Sequence, residues 1–140
     1  MTIPAYDDAK LVPLDTDAAI ERRVADLIGR ANRRQLWLIF LDEHQRQLPT
    51  MIPVDDLPLA PEPGDGDMLA GALATTAEMI GAASVVLVWE RYADDALTVS
   101  DRRWARLAHD ACAGHDVPLR AMLLSHRHGV RWIAQDDYRF

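Results

Sequence analysis

Histidines and a cysteine at short spacings are the residues best suited to hold a metal ion. His126 and His128 would present both imidazoles on one face of an extended segment, because side chains alternate along a strand. Cys112 and His115 lie three residues apart, close to the spacing of zinc ligands. However, His128 precedes a glycine in a turn-like sequence, and Cys112 falls on the apolar stripe of a helix, where free cysteines are usually small buried hydrophobes. We therefore expect no metal site.

The same residues could form a nucleophilic pair. A reactive Cys112 beside His109 or His115 would need an exposed thiol with a lowered pKa, and no family signature surrounds it. Ser125 and His126 resemble a fragment of a hydrolase site, but no strand-turn-helix elbow surrounds the serine. We expect neither pair to be catalytic.

The acidic segment from Asp55 to Asp67 is the remaining candidate for a cation site. It lacks the ligand spacing and the terminal glutamate of an EF-hand. Clusters of aspartate, glycine and proline usually form turns. We predict a loop without bound calcium.

Charged residues directly follow the most apolar segment of the chain. The apolar run that begins at Ser84 ends at Trp89. Glu90 and Arg91 follow it directly, and Asp94 and Asp95 come shortly after. Ligands of α/β proteins often bind beyond the ends of strands, so a polar pocket is one interpretation. The alternative is a solvated loop, since loops are usually polar and exposed. Trp89 could be a pocket wall, a partner anchor or simply core packing.

The hydrophobic pattern predicts the elements that would position these residues. A period of 3.6 residues indicates three helices, and short apolar runs indicate strands. The predicted helices cover about 17–33, 68–80 and 98–114, and the predicted strands cover 36–41, 48–54, 84–89, 117–124 and 130–134. The residues of the second helix that are predicted to face inward are Met68, Leu69, Ala72, Leu73, Thr76, Met79 and Ile80. Pro49 and Pro53 predict that the second strand lies at an edge, and the third strand, apolar on both faces, belongs at the centre.

This order, α-β-β-α-β-α-β-β, predicts one α/β domain of the α+β mixed-sheet type over residues 17–134. Residues 1–16 read as an irregular lead-in and residues 135–140 as a tail. The net charge of −7 disfavours nucleic-acid binding, which depends on Lys and Arg. One cysteine excludes a disulfide framework, and no signal peptide or membrane span is visible, so we expect a cytoplasmic protein. The abundance of Ala, Arg, Asp and Leu suggests a bacterial source.

Several strings in this order resemble one known family. They are Ala82–Val88, Trp89–Asp94, Leu97–Arg103, Val117–Leu119 and the upstream strand Leu36–Asp42. Over about residues 18–134 the chain resembles the JAB/MPN metalloprotease family, especially its RadC-like branch. That family carries a His-x-His-Pro-Ser-Gly loop after an apolar strand, then a Ser-x-x-Asp pair at the next helix. The resemblance implies a JAB/MPN-like fold.

The zinc ligands of that family are not found at the matching positions. Trp89 and Arg91 stand at the two histidine positions, and Arg103 (or Arg102, with a slip of one residue) stands at the aspartate position. Only the serine is retained, as Ser100. No glutamate lies in residues 48–59, where the family's catalytic base would be expected. The resemblance therefore implies a degenerate member without zinc and without another cofactor.

Two functions follow as expectations. The first is a non-catalytic interaction or regulatory module that pairs with itself as a homodimer or binds another protein. The second is an enzyme or small-ligand sensor with a non-metal polar pocket at the end of the central strand. There, Glu90 would act as acid or base and Arg91 or Arg103 would hold an anion. The site residues common to both are Trp89, Glu90, Arg91, Ser100 and Arg103.

Overall fold

The computed structural model describes residues 12–138. Within them the chain forms three α-helices and five strands in the predicted order. The elements are α1 (Asp17–Leu27), β1 (Gln35–Leu41), β2 (Gln47–Val54), α2 (Asp65–Ile80), β3 (Ser84–Glu90), α3 (Val99–Gly114), β4 (Leu119–His126) and β5 (Gly129–Trp132), followed by a 3-10 turn (Gln135–Asp137). The predicted mixed α/β class is confirmed. Residues 1–11 of the predicted lead-in and 139–140 of the predicted tail lie outside the described residues.

The strands form one mixed sheet in the order β2-β1-β3-β4-β5. β3 and β4 run parallel, and the other neighbouring pairs are antiparallel. β3 is therefore central and β2 lies at an edge, as predicted. Because β1 runs opposite to β3 and β4, the start of β1 and the ends of β3 and β4 meet at the same end of the sheet. This end carries the candidate site.

Helices cover both faces of the sheet. On one face, Leu69 and Leu73 of α2 and Ala108 of α3 pack against strand residues that include Phe40 and Leu87. On the other face, α1 packs Ile20 and Val24 against β1, β3 and β4. Val85 to Val88 of β3 are no more than 1% exposed, because the strand is enclosed from both sides. The sequence pattern that placed β3 at the centre therefore reflects burial on two faces.

Two helices differ from their predicted extents. α1 ends at Leu27 and not near Arg33, since the chain turns at Gly29 with a φ of +65°. That left-handed conformation is one that glycine adopts easily. The segment after Gly29 leads directly into β1, and this early ending brings Asn32 and Arg33 to the end of the sheet.

The inward face of α2 also differs from prediction. The helix begins at Asp65, and Met68 and Met79, predicted to be buried, are 75% and 80% exposed. Gly66 faces α3 so closely that an added Cβ would lie 2.7 Å from Cγ of Leu107. This close contact fixes the helix rotation and buries Gly66, Leu69, Ala70 and Leu73 in place of the two methionines. The apolar residues on both sides of α2 had left its rotation ambiguous.

The core also includes residues at the margins of the predicted domain. Leu14 and Tyr138 are each 3% exposed. Leu14 packs beneath α1, and Tyr138 packs with the cluster under α2 and α3. None of the helices in residues 12–138 combines the length and the apolar character that crossing a bilayer requires.

Candidate ligand-binding pocket

The last two residues of β3 point to opposite faces of the sheet, because side chains alternate along a strand. Trp89 packs against the core cluster beneath α2 and α3. The side chain of Glu90 turns to the α1 side, and the residue as a whole is only 4% exposed. These two sequence neighbours therefore have different environments.

Glu90 accepts hydrogen bonds on both carboxylate oxygens. Oε2 accepts from the backbone N–H groups of Asn32 (2.7 Å) and Arg33 (3.4 Å). Oε1 accepts from Nε2 of Gln35 (2.8 Å) and Nε1 of Trp37 (2.9 Å). These four donors tie the end of β3 to the turn after α1 and to the first residues of β1.

Two opposing effects set the pKa of Glu90. Burial alone would raise the pKa, because it disfavours the charged carboxylate. The four hydrogen bonds outweigh burial and lower the pKa below its ordinary value of 4.5. Glu90 is therefore ionised at neutral pH and has no proton to donate. With both oxygens occupied, it is poorly placed to act as a base.

Arg91 organises the loop between β3 and α3. Its Nε and NH2 groups contact Oδ2 of Asp101, each at 2.8 Å. The same guanidinium donates to the backbone carbonyls of Asp94 and Ala96, at 2.7 Å each. Asp101 in turn forms a capping box with Thr98 at the start of α3. Most donors of Arg91 are thus used to hold the loop, and few remain for an anionic ligand.

A pocket of about 380 Å³ opens at this end of the sheet, on the face covered by α3. Its walls are mainly apolar side chains from β1, β2, β3, α3 and the segment between β2 and α2. Its rim carries the charged and hydroxyl groups of the loops. The lining residues are Arg34, Gln35, Leu36, Val54, Leu57, Leu59, Trp89, Glu90, Arg91, Tyr92, Ala93, Thr98, Asp101 and Trp104.

One wall is a loop that is held in place by two side chains from distant elements. Nε1 of Trp104, on α3, donates to the carbonyls of Pro58 (3.1 Å) and Leu59 (3.2 Å). Arg34, just before β1, donates to the carbonyls of Leu57 and Pro58. Leu57 and Leu59 are therefore presented to the pocket by a loop that is fixed at its backbone.

Two tryptophans lie side by side in the pocket. The ring centroids of Trp89 and Trp104 are 5.7 Å apart, and their planes are tilted by 41°. Within residues 12–138, Nε1 of Trp89 is the one buried side-chain nitrogen or oxygen that has no hydrogen-bond partner. Such a group costs about 1–3 kcal/mol. The pocket wall is therefore less than optimal for stability, as is common at functional sites.

The five site residues predicted from the sequence do not all meet. Trp89, Glu90 and Arg91 line the pocket. Ser100 is half-buried in the first turn of α3 and does not line it. Arg103 is exposed and borders a separate groove of about 290 Å³. Arg103, predicted as one of two alternative anion clamps, therefore does not lie in the same pocket as Glu90.

The candidate metal ligands are also separated. His126 and His128 have ring centroids 6.4 Å apart, and the N–H of His128 donates to Nδ1 of His126. His115 contacts Oδ1 of Asp67 at 3.2 Å, while Cys112 is buried. Across residues 12–138, no group of three His, Cys, Asp or Glu side chains is arranged to hold a metal ion. In the acidic loop, Asp65 accepts from the backbone N–H of Glu62, which is a turn contact.

Neither nucleophile candidate has an activating partner. Burial raises the pKa of Cys112 to about 11, so its thiol stays protonated. Ser125 is fully buried and donates to the carbonyl of Gly29 at 2.6 Å. His126 follows Ser125 on the strand and so points to the opposite face. Neither pair is arranged as an exposed nucleophile beside a base.

Sequence reasoning missed Trp104, Arg34 and the loop from Leu57 to Leu59 as parts of the site. The helical period places Trp104 on the buried face of α3 and gives no sign that its indole reaches a loop. The one local signal was the Thr98-x-x-Asp101 spacing, which is typical of a capping box and marks where α3 begins. The contacts that fix the loop join residues more than 20 positions apart and leave no local pattern.

Comparison with protein-family models and with curated proteins finds no match for this chain. The function is therefore inferred from the geometry of the pocket.

Proposed function

We propose that this chain is a non-catalytic domain that binds a small molecule in the pocket at the end of β3. The observation that supports this proposal is a concave space of about 380 Å³ with apolar walls and a polar rim. Small-molecule sites typically enclose about 300–1,000 Å³ and combine apolar walls with a few polar groups. The site also lies beyond the end of a central strand, where α/β proteins often bind ligands.

A binding role fits the side chains better than a catalytic one. The carboxylate of Glu90 accepts four hydrogen bonds, and Arg91 is paired with Asp101. A general acid needs a proton near neutral pH, and the lowered pKa of Glu90 leaves it ionised. The polar groups of the rim hold the walls in place, and the walls supply the contact surface.

The degenerate JAB/MPN-like scaffold is part of this proposal. The order of helices and strands is compatible with it, and Trp89 and Arg91 would replace the two histidines that hold zinc in that family. Arg91 at such a position forms an ion pair with Asp101, which favours the loop without a metal. We further propose a cytoplasmic, bacterial protein without a nucleic-acid or membrane partner. Purified protein should contain far less than one zinc per chain by elemental mass spectrometry, and a stoichiometric zinc would contradict a silenced site.

A second candidate function is binding of a protein, or of a second copy as a homodimer, at the same mouth. Leu59 and Tyr92 line the pocket and are each 70% exposed. Exposed large apolar groups beside a pocket are typical of interaction surfaces. Sedimentation equilibrium of the wild type and of Leu59→Asp would test pairing. If the chain forms a homodimer, the wild type should have the mass of two chains, and the mass of the Leu59→Asp variant should fall toward that of one chain.

The ligand-binding proposal is tested with a pair of matched valine variants. Val54 lines the pocket, and Val99 is 65% exposed outside it. Val54→Phe should fill the pocket and abolish the binding of fragments detected by ligand-observed NMR, whereas Val99→Phe should leave binding unchanged. Circular dichroism would verify that both variants are folded. If the wild type binds no fragment, or if Val54→Phe binds them equally well, the proposal is wrong.

A further inference from the structure

Four charged residues belong to the lining of the pocket, and their charges cancel. Arg34 and Arg91 are cations, and Glu90 and Asp101 are anions. Each already has partners within the chain. Glu90 has its four donors, Arg91 and Asp101 pair with each other, and Arg34 donates to two loop carbonyls. The charged groups therefore stabilise the walls and offer little net field to a ligand.

Three neutral polar side chains of the pocket are also engaged, whereas the hydroxyl of Tyr92, a residue that is 70% exposed, has no hydrogen bond among the described residues. Oγ1 of Thr98 accepts from the N–H of Asp101, and Nε2 of Gln35 donates to Glu90. The indole N–H of Trp104 is shared by two carbonyls. Nε1 of Trp89 is covered, so this residue presents carbon surface to the space beside it. A ligand thus meets few free hydrogen-bonding groups.

This saturation determines which ligand charge the pocket tolerates. A carboxylate or ammonium group that enters an apolar site loses its hydration. Only an unengaged opposite charge or hydrogen-bonding group of the protein can compensate for that loss. Asp101, Arg34 and Arg91 are already engaged within the chain, and the carboxylate of Glu90 lies on the α1 side with its own four donors. An ionic ligand would therefore find no uncompensated opposite charge in the pocket.

The walls favour a flat apolar body. Trp89 and Trp104 form an aromatic surface on one side, with their centroids 5.7 Å apart. Leu36, Val54 and Leu57 supply aliphatic surface to the same pocket. Aromatic rings pack favourably on tryptophan in offset or tilted arrangements, and aliphatic groups tolerate either face of such a ring.

We propose that the ligand of this pocket is a neutral aromatic molecule, recognised by shape and ring packing with little hydrogen bonding. This inference rests on the proposed function and specifies the chemical class of the ligand. It excludes carboxylates and amines of the same size, including ammonium ligands that would use the faces of the tryptophans.

Three probes of equal ring size test the inference. They are 2-naphthalenemethanol (neutral), 2-naphthoate (anionic) and 2-naphthylmethylammonium (cationic), titrated into the full chain at pH 7.5 by isothermal calorimetry. We expect the neutral probe to bind more than about tenfold tighter than either charged probe. Val54→Phe should remove this binding, and Val99→Phe should retain it.

A charged variant adds a second readout. Leu57→Lys places one free cation at the wall, so it should raise the affinity of the anionic probe and not that of the cationic probe. If a charged probe binds the wild type as tightly as the neutral one, the ligand class is wrong while the pocket remains a binding site. If none of the three probes binds, the proposed function itself is overturned.

Discussion

The hydrogen bonds to Glu90 predict that this side chain stabilises the fold by an amount that depends on pH. Glu90→Gln keeps the shape of the side chain but replaces one acceptor oxygen with an NH2 group. That group would face two of the four N–H donors that now bind the carboxylate. Two hydrogen bonds are lost whichever way the amide is turned.

The size of the effect follows from the number of bonds. Hydrogen bonds to a charged group each contribute about 1.5–3 kcal/mol, so two lost bonds give about 3–6 kcal/mol as an upper range. The amide avoids the cost of burying a charge, which offsets part of this loss. We expect a decrease of about 3 kcal/mol in the free energy of unfolding at pH 7. Typical domains have a free energy of unfolding of about 5–15 kcal/mol, so the variant should remain folded.

The pH dependence gives a sharper test. A lowered folded-state pKa means that Glu90 stabilises the fold above the unfolded pKa of 4.5, and that this stabilisation is lost as the pH falls through the folded-state pKa. The difference between wild type and Glu90→Gln should therefore shrink below about pH 4.5. A protonated carboxyl, like the amide, presents a donor to these N–H groups.

Urea denaturation followed by circular dichroism at pH 7 and at pH 3.5 measures both quantities. Glu21→Gln, at an exposed position of α1, is the matched control and should change the free energy of unfolding by less than about 0.5 kcal/mol. A loss at Glu90 no larger than this control, or a loss that is the same at both pH values, would refute the structural role of the carboxylate.

Three further predictions concern other buried groups. Trp104→Phe should destabilise the fold by about 1–2 kcal/mol more than Trp89→Phe in urea denaturation, because the indole N–H of Trp104 donates to two carbonyls and that of Trp89 to none; equal losses would contradict this. Burial lowers the pKa of His126, aided by nearby positive charges and opposed by an aspartate. The free energy of unfolding should therefore fall as the pH decreases below 6.5, and urea denaturation of His126→Asn over the same pH range should lack this loss. Cys112, whose pKa is raised to about 11, should react with a disulfide reagent at pH 8 only at the rate of unfolding, and rapid native labelling would contradict its burial.

The sheet was largely predictable because its signals are local. The part of β3 from Val85 to Trp89 is apolar at every position, which predicts burial on both faces, and the prolines of β2 predict an edge. The rotation of α2 was not predictable in the same way. Met68 and Leu69 are equally apolar neighbours, and the choice between them depends on how closely Gly66 approaches Leu107 of another helix.

The pocket was predictable only in its position. Trp89, Glu90 and Arg91 were singled out because they follow a central strand, and all three line the pocket. The role of Glu90 could not be inferred, because its four donors lie 53 to 58 positions earlier in the chain. Such contacts depend on the antiparallel pairing of β1 with β3, and no local pattern reveals them.

The pairing of β1 with β3 also explains why adjacent residues have separate roles. Alternation directs the side chain of Trp89 into the pocket and the carboxylate of Glu90 toward the α1 side, where it accepts hydrogen bonds from the turn before β1 and from the first residues of β1. A change at Glu90 therefore alters the pocket indirectly, by loosening the strand end that carries Trp89 and the loop that begins at Arg91. A loss of ligand binding in a Glu90 variant would not identify a ligand contact. Val54 and Leu57 are better positions for testing recognition, since they contribute to the wall without joining the carboxylate network.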